Sequence, residues 1–351
     1  MHNIINRWLV LSLPMLAIGC SDATAPGVSN PGITTTAISS TSVSLAWTKA
    51  TDTRSPASDL VYEVYISGPN PAYQSFDTLA EIEAGTLVET LTDADSVTIS
   101  SGITAGNAYY FNIVVQDLDR NRAPYDPLGE YFHAGQISYY PFNGTSSDVG
   151  TAANHLVVAT GLALPIATAD RFSQLNSAYN FTPTTPQCLQ STASVGATVS
   201  GNTSRSVSLW VQSANTPAGT ERAPFAWGNG TADGSSFGFF ENGVGNTWTV
   251  WLSGTANVAT TSPATTSWEH WVVGYDSVAD LVYTYKNGAL FNNGTAPAVV
   301  AATVDTLLYI GCGQDAGVLS YPYQGNIDDV RIFNQLLNGT NVTNLYTVTR
   351  P

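Results

Sequence analysis

Charged residues are scarce in this chain of 351 residues, at 11% of the sequence. Lysine and arginine are scarcest: 11 of them stand against 26 acidic residues, which gives a formal net charge of −15. Such an excess of negative charge repels phosphate backbones and anionic lipid headgroups, so it disfavours nucleic-acid binding. Hydrophobic residues make up 43% of the chain, enough for a folded core. The remaining surface must be polar but mostly uncharged, which is compatible with neutral glycans and with calcium.

Cysteine is also rare, and the common catalytic motifs are absent. The sequence holds 3 cysteines and no C-x-x-C pair, and its 4 histidines are scattered, which disfavours a zinc site. It contains no G-x-S-x-G nucleophile turn and no phosphate-binding P-loop. These absences remove the common hydrolase and nucleotide-binding classes.

Long hydrophobic runs are absent as well, apart from Trp8–Ile18 behind the positive charge of Arg7. This run has the length of a signal peptide and is too short for a permanent membrane span. The tetrapeptide Ala17-Ile18-Gly19-Cys20 resembles the bacterial lipobox. The resemblance implies a lipoprotein signal peptide at residues 1–20, acylation of Cys20, a linker at 21–30 and an outer-membrane anchor whose side is undetermined. Ordinary secretion with a chance cysteine is the alternative.

The other two cysteines are Cys188 and Cys312, each next to a predicted strand. Exported proteins fold in an oxidising compartment, where two remaining thiols can pair. We therefore predict a disulfide between Cys188 and Cys312.

Alternating apolar residues mark several strands in the first third of the chain, among them Ser42–Trp47, Tyr62–Ile66 and Ile103–Asp117. Strands separated by turn residues predict a small sandwich. With Trp47 in its second strand and the spacing Ile103-x-x-Gly106-x-x-Tyr109, this region resembles a fibronectin type III domain. We assign it to residues 31–130, expect it to act as a spacer, and place a hinge at residues 125–136.

The later part of the chain is organised around Gly325–Asn334, GNIDDVRIFN, whose β-branched residues predict a half-buried strand. This segment resembles the last core strand of a laminin G-like, concanavalin A-type jelly roll. Other pieces follow the same order: Tyr139–Gly144, Asp170–Phe172, Ser206–Trp210 and Trp268–Asp276. We therefore predict an all-β protein, a fibronectin type III-like β-sandwich followed by a concanavalin A-like jelly-roll sandwich at 137–351.

Asp328 and Asp329 stand inside this strand, where an unpaired carboxylate would be costly. We expect one of them to bond the loop behind the strand; a metal ligand at the rim is the alternative. Glucanases that share the fold carry E-x-D-x-E, which presents two carboxylates on one face of a strand. Residues 137–351 contain no such pattern, so we expect no enzymatic activity.

Aromatic residues are plentiful in the second sandwich, and flat rings stack on sugars. Trp248 and Trp251 alternate in one strand, which predicts that one of them is exposed or lines the concave face. Packing of this tryptophan against a neighbouring loop is the alternative. With Tyr321 and Tyr323 of the glycine-rich loop at 311–324 they form the predicted ligand site. No cofactor is required; calcium could bind Asp315 with help from Asp233 and Asn229, since it needs about six to eight oxygen ligands.

These observations predict a non-enzymatic, lipid-anchored protein of the bacterial cell envelope. Its jelly roll would bind a glycan or an envelope or extracellular protein, at the concave face or rim, in adhesion or recognition. A structural component of an envelope complex without glycan binding is the first alternative. A polysaccharide hydrolase without recognisable motifs is the second.

Overall fold

The structure, a computed structural model, describes residues 23–28, 32–72, 76–182, 186–214, 221–243 and 247–350. The predicted signal peptide and the acylation of Cys20 lie outside these residues. Within them, neither helix has the length and hydropathy needed to cross a membrane. Nearly all regular structure is antiparallel strand, as predicted.

The first sandwich packs a three-stranded sheet, of order β1-β2-β5, on a sheet of order β4-β3-β6-β7 in which β8 also pairs with β6. Its elements are β1 (Thr34–Ile38), β2 (Val43–Ala46), β3 (Val61–Ile66), α1 (Leu79–Glu83), β4 (Thr86–Thr92), β5 (Ser96–Ile99), β6 (Ala108–Gln116), β7 (Arg122–Pro124) and β8 (Leu128–Tyr131).

Strand β6 is the centre of this first sandwich, and it is buried on both faces. Tyr109 and Phe111 point into the core between the two sheets. The Tyr109 hydroxyl accepts a hydrogen bond from the Thr104 N–H at 3.1 Å, which ties the preceding loop to the strand. Tyr110 and Val114 face the other way, into a cluster shared with the second sandwich. The first sandwich is therefore packed on the second, not held apart from it.

The second sandwich has a seven-stranded sheet, β10-β13-β22-β15-β16-β17-β18, and an eight-stranded sheet, β11-β12-β25-β14-β19-β20-β21, with β9 paired to β25 and β23 to β24. Its elements are β9 (Gln136–Tyr140), β10 (Leu156–Val158), β11 (Ile166–Thr168), β12 (Ala178–Phe181), β13 (Leu189–Ser194), β14 (Arg205–Ser213), β15 (Arg222–Gly228), β16 (Ser236–Glu241), β17 (Thr247–Trp251), β18 (Val258–Pro263), β19 (Glu269–Asp276), β20 (Leu281–Lys286), β21 (Ala289–Thr295), β22 (Leu307–Ile310), β23 (Gly313–Asp315), β24 (Val318–Ser320), β25 (Gly325–Phe333) and α2 (Gly339–Thr349).

Strand β25 is the predicted organising strand, and it lies in the middle of the eight-stranded sheet. It pairs along its length with β14, and on its other side first with β12 and then with β9. The Asn-Gly turn between β20 and β21 is also as predicted: Asn287 and Gly288 have φ of 49° and 79°. This is the left-handed geometry that Asn-Gly adopts in tight hairpins.

Helix α2 joins the two sandwiches. Its Asn338 cap accepts a hydrogen bond from the Asn341 N–H, and its Leu345 and Val348 are buried. A Cβ built on Gly129 of β8 would lie 2.1 Å from the Val348 carbonyl oxygen, so only glycine permits this approach. The predicted hinge at 125–136 is therefore wrong: it contains β8, which is buried against α2 and held in the sheet of the first sandwich.

Candidate functional site

A buried ion network crosses the junction of the two sandwiches. Arg331 of β25 donates from Nε to Asp329 Oδ1 at 2.9 Å and from Nη2 to Glu130 Oε2 of β8 at 2.9 Å. Glu130 also accepts a hydrogen bond from Thr35 of β1. The guanidinium carbon of Arg331 lies 3.7 Å from the ring centroid of Tyr139. Because all these groups are almost inaccessible to solvent, the network holds the two sandwiches in one fixed arrangement.

A second arginine binds the same strand from the loop between β11 and β12. Arg171 pairs with Asp328, and its Nη2 donates to Asp329 Oδ2 at 2.9 Å. Its guanidinium also lies 4.6 Å from the ring centroid of Phe172 and 4.9 Å from that of Trp210. The prediction that Asp328 or Asp329 bonds a loop is confirmed, and both do so through Arg171.

Burial and charge separate the two neighbouring carboxylates. Burial raises the pKa of Asp328 well above its usual range, although Arg171 opposes the shift. Burial would also raise the pKa of Asp329, but Arg331 and Arg171 together lower it below its usual value. Burial likewise raises the pKa of Glu130 despite Arg331. Of these three carboxyl groups only Asp329, held between two guanidiniums, has a lowered pKa, so it is the one that most readily stays ionised.

A cleft of about 380 Å³ opens between the sandwiches directly above this network. One wall comes from the first sandwich, at residues 32–34 and 126–129, and the other from the Asp170–Gln174 loop of the second. The Asp170 carboxylate shapes that loop, since its Oδ1 accepts the N–H groups of Phe172 and Gln174 at 2.8 Å each. The cleft is thus built by both sandwiches.

Two aromatic side chains of the cleft remain available to a ligand. The ring of Phe172 is 44% exposed, the highest value among the phenylalanines of the described residues. Tyr139 is only 5% exposed, and its hydroxyl has no hydrogen-bond partner within the described part of the chain. The arrangement offers an open aromatic face beside fixed donors and acceptors, which is what a pocket for a polar organic ligand requires.

Of the aromatic residues predicted to bind ligand, Trp248, Trp251 and Tyr323 are buried, and Tyr321 is half-buried. Trp248 is fully buried between the sheets, where it stacks on Phe239 at 4.7 Å and donates its indole N–H to Glu269. Tyr323 is buried in the same core. The alternation of β17 correctly separated Trp248 from Trp251, but the prediction of exposure is wrong for Trp248 and for Tyr323.

Trp251 faces outward, as the alternation requires, and is nevertheless 5% exposed. Phe240 stacks on it at 4.6 Å, and Tyr321 lies 4.8 Å from Phe240. We call Phe240, Trp251 and Tyr321 the aromatic cluster. The β23–β24 hairpin covers it: a Cβ on Gly313 would lie 3.6 Å from the Trp251 ring. The alternative of packing against a loop therefore holds for Trp251, although the local sequence could not identify the hairpin, because the two are distant in the chain.

The three residues proposed for calcium each bond to a neighbour. Asn229 Oδ1 accepts from Thr231, Asp233 accepts from the Thr255 hydroxyl, and Asp315 accepts from the Tyr321 hydroxyl at 3.4 Å. In the described segments no three acidic, histidine or cysteine side chains are grouped as metal ligands. Calcium binding at Asp315, Asp233 and Asn229 stays a prediction, in which two carboxylates and one amide would coordinate the ion.

The predicted disulfide between Cys188 and Cys312 is confirmed, with the two Cα atoms 5.5 Å apart. Cys188 precedes β13, and Cys312 lies between β22 and β23. The bond thus fixes the base of the hairpin that covers the aromatic cluster.

Sequence reasoning missed the cleft itself. Asp170–Phe172 was recognised only as a piece of the fold, and Glu130 lay inside the predicted hinge. The only local signal available was an isolated arginine, Arg171, followed by Phe172. Nothing local connects Glu130 with Arg331, 201 residues later.

Comparison with known proteins supports the fold of the second sandwich. Residues 189–343 match the family model Laminin_G_3, the concanavalin A-like lectin/glucanases superfamily. The all-β fold class with a concanavalin A-like domain is therefore confirmed. None of the curated proteins matches the sequence.

Similar solved structures share little sequence with the chain. Domain 4 of AbnA, a GH43 extracellular arabinanase from Geobacillus stearothermophilus in complex with arabinotriose, has a TM-score of 0.43 and 19% identity over 60% of this chain and 98% of its own. The botulinum neurotoxin serotype D binding domain has 0.44 and 13%, over 60% and 51%. The Ruminococcus gnavus IT-sialidase CBM40 has 0.38 and 14%, over 50% and 97%.

Proposed function

We propose that this chain is a non-enzymatic binding protein of the bacterial cell envelope that holds carbohydrate in the cleft between its two sandwiches. The observation that carries the proposal is the cleft of about 380 Å³, with fixed polar groups on its floor and the exposed ring of Phe172 at its edge. Its volume falls within the range of small-molecule sites, roughly 300–1,000 Å³.

The floor of the cleft suits sugar hydroxyls because its polar side chains are already oriented. Arg171 is held by Asp328 and Asp329, and its ring contacts with Phe172 and Trp210 fix the plane of the guanidinium. A ligand would therefore not have to order these side chains on binding, which saves entropy. Stacking on Phe172 and a few hydrogen bonds would give a dissociation constant of ~0.01–1 mM, or roughly −4 to −7 kcal/mol.

We propose binding without hydrolysis. Glycoside hydrolysis needs two carboxyl groups on either side of the scissile bond. Asp328 and Asp329 are neighbours on one strand, and both are held by arginine in ion pairs. They serve as anchors for the cleft floor in this proposal.

We propose that the first sandwich, at residues 31–130, is fibronectin type III-like. Under this proposal it does more than act as a spacer. It supplies Glu130 to the ion network and one wall of the cleft. Acylation of Cys20 would hold both sandwiches at the outer membrane, and calcium remains an optional ion at Asp315.

A protein partner is the second candidate, favoured by an exposed apolar strip on the edge strand β11 and its neighbours. Leu164 and Ile166 are each 57% exposed, and Leu175 is 75% exposed. Apolar side chains beside an unpaired sheet edge are typical of protein contacts. In this case the chain would be an assembly component of an envelope complex.

A glycan array followed by titration of the full chain tests the proposed function. We expect Phe172→Ala to weaken binding of the best oligosaccharide about tenfold, since stacking contributes about 1 kcal/mol or more. Leu175→Ala is the matched control, because it removes an exposed side chain from the same loop outside the cleft. Equal loss in both variants, or no binding of any glycan by the wild type, would contradict the proposal and favour the protein partner.

A further inference from the structure

The charge of the cleft is one-sided. Five carboxylates line it and two guanidiniums: the acids are Asp77, Asp126, Asp170, Asp328 and Asp329, and the bases are Arg171 and Arg350. Even if Asp328 holds a proton, four carboxylates face two guanidiniums. Both acids that the first sandwich contributes, Asp77 and Asp126, are exposed, and neither forms an ion pair with any described residue.

Arg171 and Arg331 compensate Asp328 and Asp329, whereas Asp77, Asp126 and Asp170 form no ion pair with any described residue. Arg171 donates from Nη1 to Asp328, from Nη2 to Asp329 and from Nε to the Thr349 carbonyl. Each of its three nitrogens therefore already donates to a protein acceptor, and two of its five N–H groups are left for a ligand. A carboxylated or sulfated sugar would meet an excess of carboxylates here, and Arg171 is already paired with two of them.

A second feature points independently to a hydrogen-bonding ligand. The Tyr139 side chain lines the cleft and is only 5% exposed. Its hydroxyl forms no hydrogen bond with the residues that the structure describes. The hydroxyl oxygen itself is accessible to solvent, so a ligand group can take the place of water there. Its lone pairs can accept an N–H, as can those of the carboxylates.

From this geometry we infer that the cleft selects glycans carrying a free primary ammonium group, that is, amino sugars that are not N-acetylated. The inference rests on the proposed function and names its ligand class. The ammonium lies among the carboxylates of Asp126 and Asp170, with the Tyr139 hydroxyl as a further acceptor, and the sugar ring lies on Phe172. One face of Phe172 is covered by Arg171 and the other is open to the ligand.

Four oligosaccharides of equal length test the inference against the full chain by calorimetric titration: an oligomer of glucosamine, its N-acetylated counterpart, a neutral glucose oligomer and a uronic acid oligomer. We expect the glucosamine oligomer to bind about tenfold tighter than the N-acetylated one, as one charge-assisted hydrogen bond would give. Its affinity should fall as salt is added, and the uronic acid oligomer should not bind.

Asp126→Asn removes one carboxylate of the cleft without touching the ion network, and Glu89→Gln removes an exposed charge of the same sandwich outside the cleft. The first change should cut the preference for the amine severalfold and leave the N-acetylated oligomer unaffected; the second should change neither. Equal affinity for the amine and N-acetylated oligomers, or an unchanged preference in Asp126→Asn, would overturn the inference alone. No binding of any of the four or of any array glycan would overturn the proposed function with it.

Discussion

The cleft and the aromatic cluster both gather aromatic rings with polar groups, and they differ in what covers them. Phe172 at the cleft is packed against Arg171 on one side and open on the other. Trp251 in the aromatic cluster is closed off by Phe240, Tyr321 and the β23–β24 hairpin. Under the proposed function, aromatic residues serve binding in the cleft and stability in the cluster, and cover by distant segments decides which.

Breaking the network under the cleft should have the largest effect. Arg331→Met leaves Glu130 and Asp329, both buried, without this partner, and should cost about 3–5 kcal/mol in the free energy of unfolding. Chemical denaturation measures it. The double variant Glu130→Gln with Arg331→Met should recover part of the loss, because the unpaired charge of Glu130 is then removed while that of Asp329 remains.

Arg122→Met is the control for that prediction, since its ion pairs with Glu63 and Glu83 are partly exposed. Exposed pairs contribute about 0–1 kcal/mol. A smaller loss in Arg331→Met than in Arg122→Met would show that the junction does not depend on the network.

The aromatic cluster should matter for stability and not for binding. Trp251→Ala should cost about 3–5 kcal/mol because it empties a buried site, whereas Phe172→Ala should cost less than about 1 kcal/mol. Thermal and chemical denaturation of the two variants give the comparison directly. Loss of glycan binding in Trp251→Ala with unchanged stability would move the site from the cleft to the cluster.

The disulfide should stabilise the cluster side of the sandwich without affecting the cleft. Replacing both Cys188 and Cys312 by alanine removes a cross-link that spans a separation of 124 residues. We expect a loss of about 2–4 kcal/mol, with unchanged affinity for the ligand. Titration of the variant below its unfolding temperature would reveal any coupling between the two regions.

An effect that depends on pH concerns His270, which is buried below the cleft and hydrogen-bonded through Nε2 to the Ser208 hydroxyl at 2.8 Å. Burial lowers its pKa to about 3, and Arg171 and Arg331 add to the shift while Asp329 opposes it. The unfolded chain then binds the proton first, so stability is present above about pH 6.5 and is lost as pH falls toward 3, by about 1.4 kcal/mol per pH unit at most.

Comparing the pH dependence of unfolding in the wild type and His270→Gln isolates this residue from the carboxylates. The wild type should lose stability more steeply between pH 6 and 4, a window set by that lowered pKa. Parallel curves would contradict the assignment of a neutral buried histidine.

The sequence predicted what depends on local pattern. The alternation around Val330 and Ile332 identified the central strand, and the Asn287-Gly288 turn identified the hairpin of β20 and β21. Charges in the strand at 328–331 correctly implied buried partners. The alternation of Trp248 and Trp251 tells which face each side chain occupies and left exposure and cover by a loop as alternatives. It could not identify the hairpin that covers Trp251, because that hairpin is distant in the chain.

The cleft was hidden for the same reason. Its walls come from Asp126 and the Asp170–Gln174 loop, which become neighbours only when β25 carries Arg331 to Glu130. Proline and glycine around residue 130 suggested a flexible connection, whereas Gly129 is there to let α2 approach. Long-range ion pairs of this kind leave no periodic trace in a single sequence.

The most direct test of the central claim is a crystal structure of the full chain with the oligosaccharide that binds most tightly in titration. Our account predicts the sugar between the two sandwiches, with a ring on Phe172 and a polar group within hydrogen-bond distance of Tyr139 or Asp126. A sugar seated beneath the β23–β24 hairpin against Trp251 and Tyr321, with the cleft empty, would contradict it.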